Sequence, residues 1–316
     1  MAKKRKTSIK KVSPRRTQGK IWVMALDPFA DIDFNPLLRF ARTTAEKAGA
    51  KLHVAYVLAP ASLNWTGDFS GPWISKYRPV SQTKLDQILG ESDLTGVVVP
   101  CKNSGQREAV KALLGYVRKV KAECVLISTH ARSGLERLVG GSFAETLILT
   151  AKVPVMVTNP TCDIPNTVKK ILMPTDLTDK GERFVKAMSD HAKRLGAEVV
   201  LYYKQPDPLD PIIQQGVYSL GGGWVSAQSY IESEIAFKTK EIEKMEALFR
   251  KYDVKATHVV DSSPGDLIES INKAALDTGA DMVSLRTRAG SWTASLLGSV
   301  ARGLVRHAQI PVMVQR

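Results

Sequence analysis

Cysteine is scarce in this chain. Cys101, Cys124 and Cys162 are all it has, and none stands at the paired spacing of a zinc site or a redox couple. That usage excludes a disulfide-stapled fold and suits a reducing cytoplasm, so a cytoplasmic location is expected. Cys124 falls in an apolar run and reads as a small core residue. Histidine is nearly as sparse. His53, His130, His191, His258 and His307 show no H-x3-H or H-E-x2-H pattern, so no metal site is expected. There is no G-x-S-x-G elbow and no lysine-bearing phosphate loop. Nothing marks a nucleophile or a general base, and no catalytic residue is assigned. Apolar runs stay far below the ~20 residues of a membrane span, so no membrane partner is expected. The run Ile21–Leu26 is too short for the apolar region of a secretory leader.

Acid is absent from one place in particular. Residues 1–20 hold nine Lys or Arg and no Asp or Glu, out of a formal net charge of +14, which leaves +5 for everything after them. Residues 1–19 therefore read as a disordered basic tail. The tail has no aromatic side chain to stack on bases, so any nucleic-acid contact it makes is weak and nonspecific.

The rest of the chain is ordinary for a globular protein, with 44% apolar residues in 316. Two units of about 150 residues fit that length. The periodicity alternates between strand and helix. Strand Lys20–Leu26 precedes a helix whose face is Phe34, Leu37, Leu38, Ala41, Ala45 and Ala48, ended by Gly49. Strand Lys51–Leu58 leads to a loop, Pro60–Pro79, containing Trp65 and Trp73. Leu85, Ile88 and Leu89 suggest a short helix, followed by strand Val97–Val99 and a helix carrying Val110, Leu113, Leu114 and Val117. Strand Val125–Ser128, a loop, a helix after Gly141-Ser142 and strand Val155–Val157 complete the first half. A linker, Thr161–Thr167, opens the second, whose elements repeat the order, with a loop Gln205–Gly223 and a long helix through Ile231–Phe249. Strands alternating with helices imply α/β units with parallel sheets and right-handed crossovers.

The halves repeat each other in order. Ala25-Leu-Asp27 corresponds to Pro174-Thr-Asp176, Gly141-Ser142 to Gly298-Ser299, and Pro154-Val-Met-Val157 to Pro311-Val-Met-Val314. The spacing from aspartate to Gly-Ser is 114 residues in one half and 122 in the other. An ordered set of matches of this kind is a duplication. Glycine before a helix start lets an anion approach free backbone N–H groups, so each Gly-Ser pair suits a phosphate. An aspartate after a strand has a second reading, as the cap of its own turn.

With these residues in place, both halves resemble universal stress protein domains. That family's nucleotide-binding members carry an aspartate after the first strand and a G-x2-G-x9-G-[S/T] signature. Asp27 and Asp176 match the aspartate, and the two Gly-Ser pairs match the end of the signature. The resemblance covers residues 20–160 and 168–316. It implies two tandem doubly wound five-stranded sheets of the adenine nucleotide alpha hydrolase-like fold, each with strand order 3-2-1-4-5. It implies a nucleotide site in the first half at Asp27, Val57, Ser128, Ala131, Gly141 and Ser142, taking ATP with Mg²⁺. In the second half the corresponding set is Asp176, Tyr203, Leu285, Arg288, Gly298 and Ser299, and it departs from the pattern. Tyr203 and Leu285 are bulky, and Arg288 either blocks the groove or reaches a phosphate. The first two signature glycines are already Ser128 and Ala131 in the first half, both small.

The repeated Pro-Val-Met-Val runs are expected to pair as last strands about a pseudo-twofold axis, as in a dimer made covalent. A homodimer of the whole chain stays open. The expected function is a binding or regulatory module of the stress response. A nucleotide-free scaffold acting through loops and tail, and a slow ATPase, remain alternatives. For the tail, deletion of Met1–Gln18 should abolish most retention on DNA, measured over a salt series. Five or six engaged charges would give a log–log slope of roughly −5. Equal retention by the truncated chain removes the tail from that role.

Overall fold

The computed structural model describes residues 20–60, 72–129, 143–159, 162–178, 181–205, 217–218, 224–225, 227–286 and 298–315. Residues 1–19, Trp65, His130, Ala131, Gly141, Ser142, Arg288 and most of the loop 205–223 lie outside the described residues.

The first half runs β1 (Lys20–Ala25), α1 (Asn35–Lys47), β2 (Ala50–Leu58), α2 (Trp73–Leu89), β3 (Thr95–Pro100), α3 (Gln106–Val120), β4 (Cys124–Ser128), α4 (Phe143–Thr150) and β5 (Val155–Thr158). The second runs β6 (Lys170–Pro174), α5 (Glu182–Leu195), β7 (Glu198–Lys204), β8 (Val217–Tyr218), β9 (Trp224–Val225), α6 (Ala227–Lys251), β10 (Ala256–Asp261), α7 (Leu267–Thr278), β11 (Met282–Arg286), α8 (Ser299–His307) and β12 (Val312–Gln315). Local signals set many of these ends. Gly49, Gly196 and Gly279 all stand at positive φ just after helices, where an L side chain would be strained. Asp266 caps α7 by accepting from the backbone N–H of Ile268 and Glu269.

Two elements differ from the sequence reading. Trp73 and Pro79, assigned to a loop, lie inside the 17-residue helix α2. Pro79 deletes one hydrogen bond in the second turn, but Ser81, Leu85 and Leu89 bury the face that follows. Trp73 and Tyr77 pack against the core as well, so tertiary burial outweighs the proline signal. Within the loop assigned to Gln205–Gly223, Val217 and Tyr218 pair antiparallel with Val225 and Trp224 as a small ribbon.

The ten long strands form one sheet, in the order β10-β7-β6-β11-β12-β5-β4-β1-β2-β3. Each half contributes five parallel strands in the order 3-2-1-4-5, and the two sets meet at β5 and β12. That single junction is antiparallel. Met313 faces Met156, Val312 faces Val157 and Val314 faces Val155. The equivalent methionines thus meet on a pseudo-twofold axis, which pairs each half's first valine with the other half's last.

Side-chain alternation along the seam feeds two cores. Met156 and Met313 enter the core beneath α1, α2, α5 and α6, with Phe40, Leu85, Leu195 and Phe249. Val155, Val157, Val312 and Val314 enter the core beneath α3, α4, α7 and α8, with Leu113, Leu147, Ile271 and Leu304. Both cores run through the seam without a break. Polar contacts reinforce it. The Asn159 amide donates to Ala308 O at 2.6 Å and Thr43 Oγ1 donates to Asn166 O at 2.6 Å.

One contact breaks the symmetry. Glu145 and Arg302 each stand three residues after the serine of a Gly-Ser pair, so they are equivalent positions of opposite charge. They approach to 3.6 Å, and Arg306 donates to Glu145 Oε1 at 2.8 Å. Glu145 is 8% exposed. Removing it with Glu145→Ala should cost about 1–2 kcal/mol, read from the urea midpoint. Val312→Lys, which places a charge in the seam, should open the halves and speed proteolysis within residues 161–167. Unchanged cleavage in that variant would show that the seam does not hold the halves together.

Candidate functional site

In a doubly wound sheet a crevice forms where neighbouring strands send their connections to opposite faces. In the first half that place lies between β1 and β4. Leu26 N–H donates to Ala55 O at 3.0 Å, extending the ladder one residue past β1. Asp27 then turns the chain. Its Oδ1 accepts from Phe29 N–H at 3.1 Å, and Ala30 N–H donates to Asp27 O at 3.2 Å. Phe29 is 46% exposed and lies edge-on to Tyr56 with ring centroids 5.7 Å apart. The last register pair between β1 and β4 is Ala25 with Ile127, so Ser128 is level with Leu26, one residue short of Asp27. Val57 stands two residues past Ala55 on β2, half-buried against the α3 and α4 side. Asp27, Val57 and Ser128 therefore gather at the carboxyl ends of three adjacent strands. Ala131, Gly141 and Ser142 lie outside the described residues.

The second half has the same frame and different furniture. Thr175 N–H donates to Tyr202 O at 2.9 Å, which makes Tyr202 the counterpart of Ala55. Asp176 caps its turn by accepting from Thr178 N–H at 3.0 Å and from Thr178 Oγ1 at 2.5 Å. Leu177, between them, sits at φ 57, a left-handed backbone unusual for a leucine, and its N–H donates to Thr175 Oγ1. Gly298 precedes α8 and Ser299 opens it. Both aspartates thus act as turn caps, in keeping with the structural reading of an Asp after a strand.

Register corrects two of the second-half assignments. If Tyr202 answers to Ala55, then Lys204 answers to Val57, and Tyr203 answers to Tyr56 in the opposite core. Val283 pairs with Val312 as Val125 pairs with Val155. Arg286 therefore answers to Ser128, and Leu285 answers to Ile127 in the core. Tyr203 and Leu285 are each 7% exposed and are core residues. From Arg286 to Ser299 the chain advances 13 positions, against 14 from Ser128 to Ser142. Counting back from Gly-Ser therefore slips by one position, and a one-residue slip in a strand exchanges its faces. Lys204 and Arg286, missed by the sequence reading, occupy the corresponding crevice positions. A signal for Lys204 was present: eight residues separate Gly49 from Val57, and eight separate Gly196 from Lys204.

Lys204 is tied into a polar cluster. Its Nζ donates to Asp261 Oδ2 at 3.1 Å and to Ser263 O. Tyr202 OH donates to the same Asp261 oxygen at 2.6 Å, while Ser263 N–H and Oγ donate to Asp261 Oδ1 at 2.8 and 2.6 Å. Burial pushes the Asp261 carboxyl up, but donors from Ser263, Tyr202 and Lys204 outweigh burial and hold it well below the usual carboxylate range. Burial, followed by the hydrogen bond to Asp261, pushes the Tyr202 phenol up. Arg286 lies over the Phe184 ring, 5.0 Å from its centroid.

Among the described residues no group of three His, Cys, Asp or Glu could hold a metal, and no helix is long and apolar enough to cross a membrane. Burial pushes the Cys124 and Cys162 thiols up to about 12, which leaves them unreactive near neutrality.

The model of the universal stress protein family matches this chain twice, over residues 29–159 and 167–316. The chain belongs to that family, and its fold is the adenine nucleotide alpha hydrolase-like one. A universal stress protein structure from Archaeoglobus fulgidus superposes over 94% of this chain and 98% of its own, with TM-score 0.58 and 16% identity. A putative universal stress protein from Pseudomonas aeruginosa covers 94% of this chain and 92% of its own, with TM-score 0.54 and 16% identity. Universal stress protein G of Shigella flexneri is 40% identical over 52 residues, 16% of this chain and 37% of that protein. The chain thus matches little more than a third of the length of that curated relative.

Asp261→Asn should cost about 3 kcal/mol near pH 7, because it leaves the nearly buried Lys204 ammonium without its carboxylate, with only Ser263 to accept from it. The folded carboxyl is depressed, so its contribution is fully present above the unfolded value near ~4 and fades as the pH falls. Urea unfolding of both proteins from pH 7 down to acid should show the two stabilities converge.

Proposed function

We propose that this universal stress protein is a binding and regulatory module of the stress response, built from domains at 20–160 and 168–316 joined by 161–167. In this reading its first-half crevice takes an adenine nucleotide. Asp27, Val57, Ser128, Ala131, Gly141 and Ser142 are the residues assigned to it. Ala131 and Gly141-Ser142 would let phosphate approach the start of α4, and ATP would bring Mg²⁺ with it, Asp27 being the nearest crevice carboxylate in the sequence motif.

The observation that carries the reading is the contrast between equivalent positions. Where the first half offers Val57 and Ser128 beside Asp27, the second offers Lys204 and Arg286 beside Asp176. The Lys204 side chain is 10% exposed and held by Asp261, so the second half carries a long cationic side chain where the first has a valine. Nucleotide binding in the first half alone follows.

Calorimetry with ATP and Mg²⁺ should therefore show at most one equivalent per chain. Val57→Lys copies the second half, and Gly141→Val puts a side chain where phosphate approaches backbone. Each should raise Kd by about tenfold or more. Two equal sites, or no binding at all, would overturn the reading, and the latter would favour a scaffold working through loops and tail. Phosphate release measured on the same samples separates binding from slow hydrolysis.

A further inference from the structure

A glycine in the middle of a helix costs roughly 1 kcal/mol relative to alanine, so a reason for it is worth seeking. Gly303 in α8 has one: a Cβ there would come within 2.8 Å of Ile268 Cδ1. Gly115 in α3 has none of that kind. A Cβ on Gly115 would meet nothing nearer than an Arg118 guanidinium nitrogen at 4.0 Å. What lies before Gly115 is a cavity of about 240 Å³ between α2, α3 and β3.

The floor of that cavity is the outer backbone edge of β3. β3 is the last strand of the sheet. Cys101 N–H donates to Leu58 O at 2.9 Å. By the alternation of a parallel ladder, Val97 and Val99 then aim their backbone groups at β2, while Gly96, Val98 and Pro100 aim outward. The outward Gly96 carbonyl accepts from Gln82 Nε2 at 3.3 Å, and Pro100 has no N–H to offer. Val98 is left as the residue whose N–H faces the cavity without a partner among the described residues. It is 2% exposed, and a buried backbone donor of this kind is normally satisfied.

The walls supply charge of one sign. Arg78 from α2 and Lys119 from α3 both line the cavity, and neither has an ion pair among the described residues. Tyr116 also lines it, its hydroxyl fixed by a 2.8 Å hydrogen bond with His53 Nδ1. The remainder of the lining is apolar strand and the open space above Gly115.

We infer that this cavity is a binding site for a small apolar monocarboxylate. The carboxylate accepts from Val98 N–H and pairs with Arg78 and Lys119, while its apolar body lies against Tyr116 in the room that Gly115 leaves. The gap that Gln82 and Pro100 leave on the edge is too short for an added strand, which favours a small ligand over a peptide. The site is on the outer edge of the first half, away from the crevice at β1 and β4, and does not depend on nucleotide binding.

The probes are benzoate, hexanoate and benzamide, the last matching benzoate in shape without its charge. Titration of the full chain would be followed by calorimetry and by the amide shift of Val98. At least one of the two carboxylates should bind saturably with Kd of about 0.1–1 mM, a range open to ligands of this size. Benzamide should bind at least about tenfold more weakly than benzoate, as should benzoate to Arg78→Ala. Gly115→Leu should abolish binding while leaving ATP titration unchanged and the unfolding midpoint equal or higher, since a side chain there meets open space. No saturable binding of either carboxylate, equal binding of benzamide and benzoate, or undiminished binding to Gly115→Leu would each overturn the inference. Should Gly115→Leu fold poorly, Arg78→Ala and Lys119→Ala carry the same decision.

Discussion

Three backbone-paired residues on each side hold this molecule in one piece: Val155, Met156 and Val157 against Val312, Met313 and Val314. An apolar edge strand left open would invite pairing with any other strand. Here each half satisfies the other's edge, and the alternation of valine and methionine sends side chains into both cores at once. Burying one such side chain is worth about 1.5–3 kcal/mol, so the six together far outweigh the polar contacts around them. The continuity of both cores, the sharing of one sheet and the placement of both crevices follow from that pairing.

The same seam also distinguishes the halves. Two copies of the first half meeting in this way would bring Glu145 against Glu145, and two copies of the second would bring Arg302 against Arg302. Opposite charges at equivalent positions make the mixed pairing the favourable one, with Arg306 adding a second cation to the buried Glu145. Charge pairs of this kind select partners more than they add stability. Having both halves on one chain keeps that choice from being tested at each encounter.

Much of the fold was legible in the residues because the signals were local. Gly49, Gly196 and Gly279 end helices, Asp266 starts one, and short apolar runs bounded by turns make buried strands. α2 was read too short because Pro79 is a local signal against helix, while the burial of Trp73 and Tyr77 that outweighs it is tertiary. The crevice was legible only as far as its anchors. Asp27, Asp176 and the glycines stand out in sequence, Lys204 is marked only by its spacing from Gly196, and Arg286 emerges only when hydrogen bonds fix the register. A strand carries no mark of its own phase when nearly every residue in it is apolar, as in Glu198–Lys204, where both faces are buried. The Lys204–Asp261 cluster depends on two strands 57 residues apart, and nothing in the chain announces that they meet.

Because the junction of β5 and β12 is antiparallel, the carboxyl ends of the two strand sets point to opposite rims of the sheet. The first crevice opens on one rim and its counterpart on the other. Between the two switch points lie β4, β5, β12 and β11, a separation of four strand spacings, about 19 Å. No small molecule seated in one crevice can touch the other. Any communication between them would have to cross the seam where Met156 and Met313 meet. A stiff plate loaded at one margin and read at the opposite margin is the mechanical analogue, with Met156 and Met313 as its pivot.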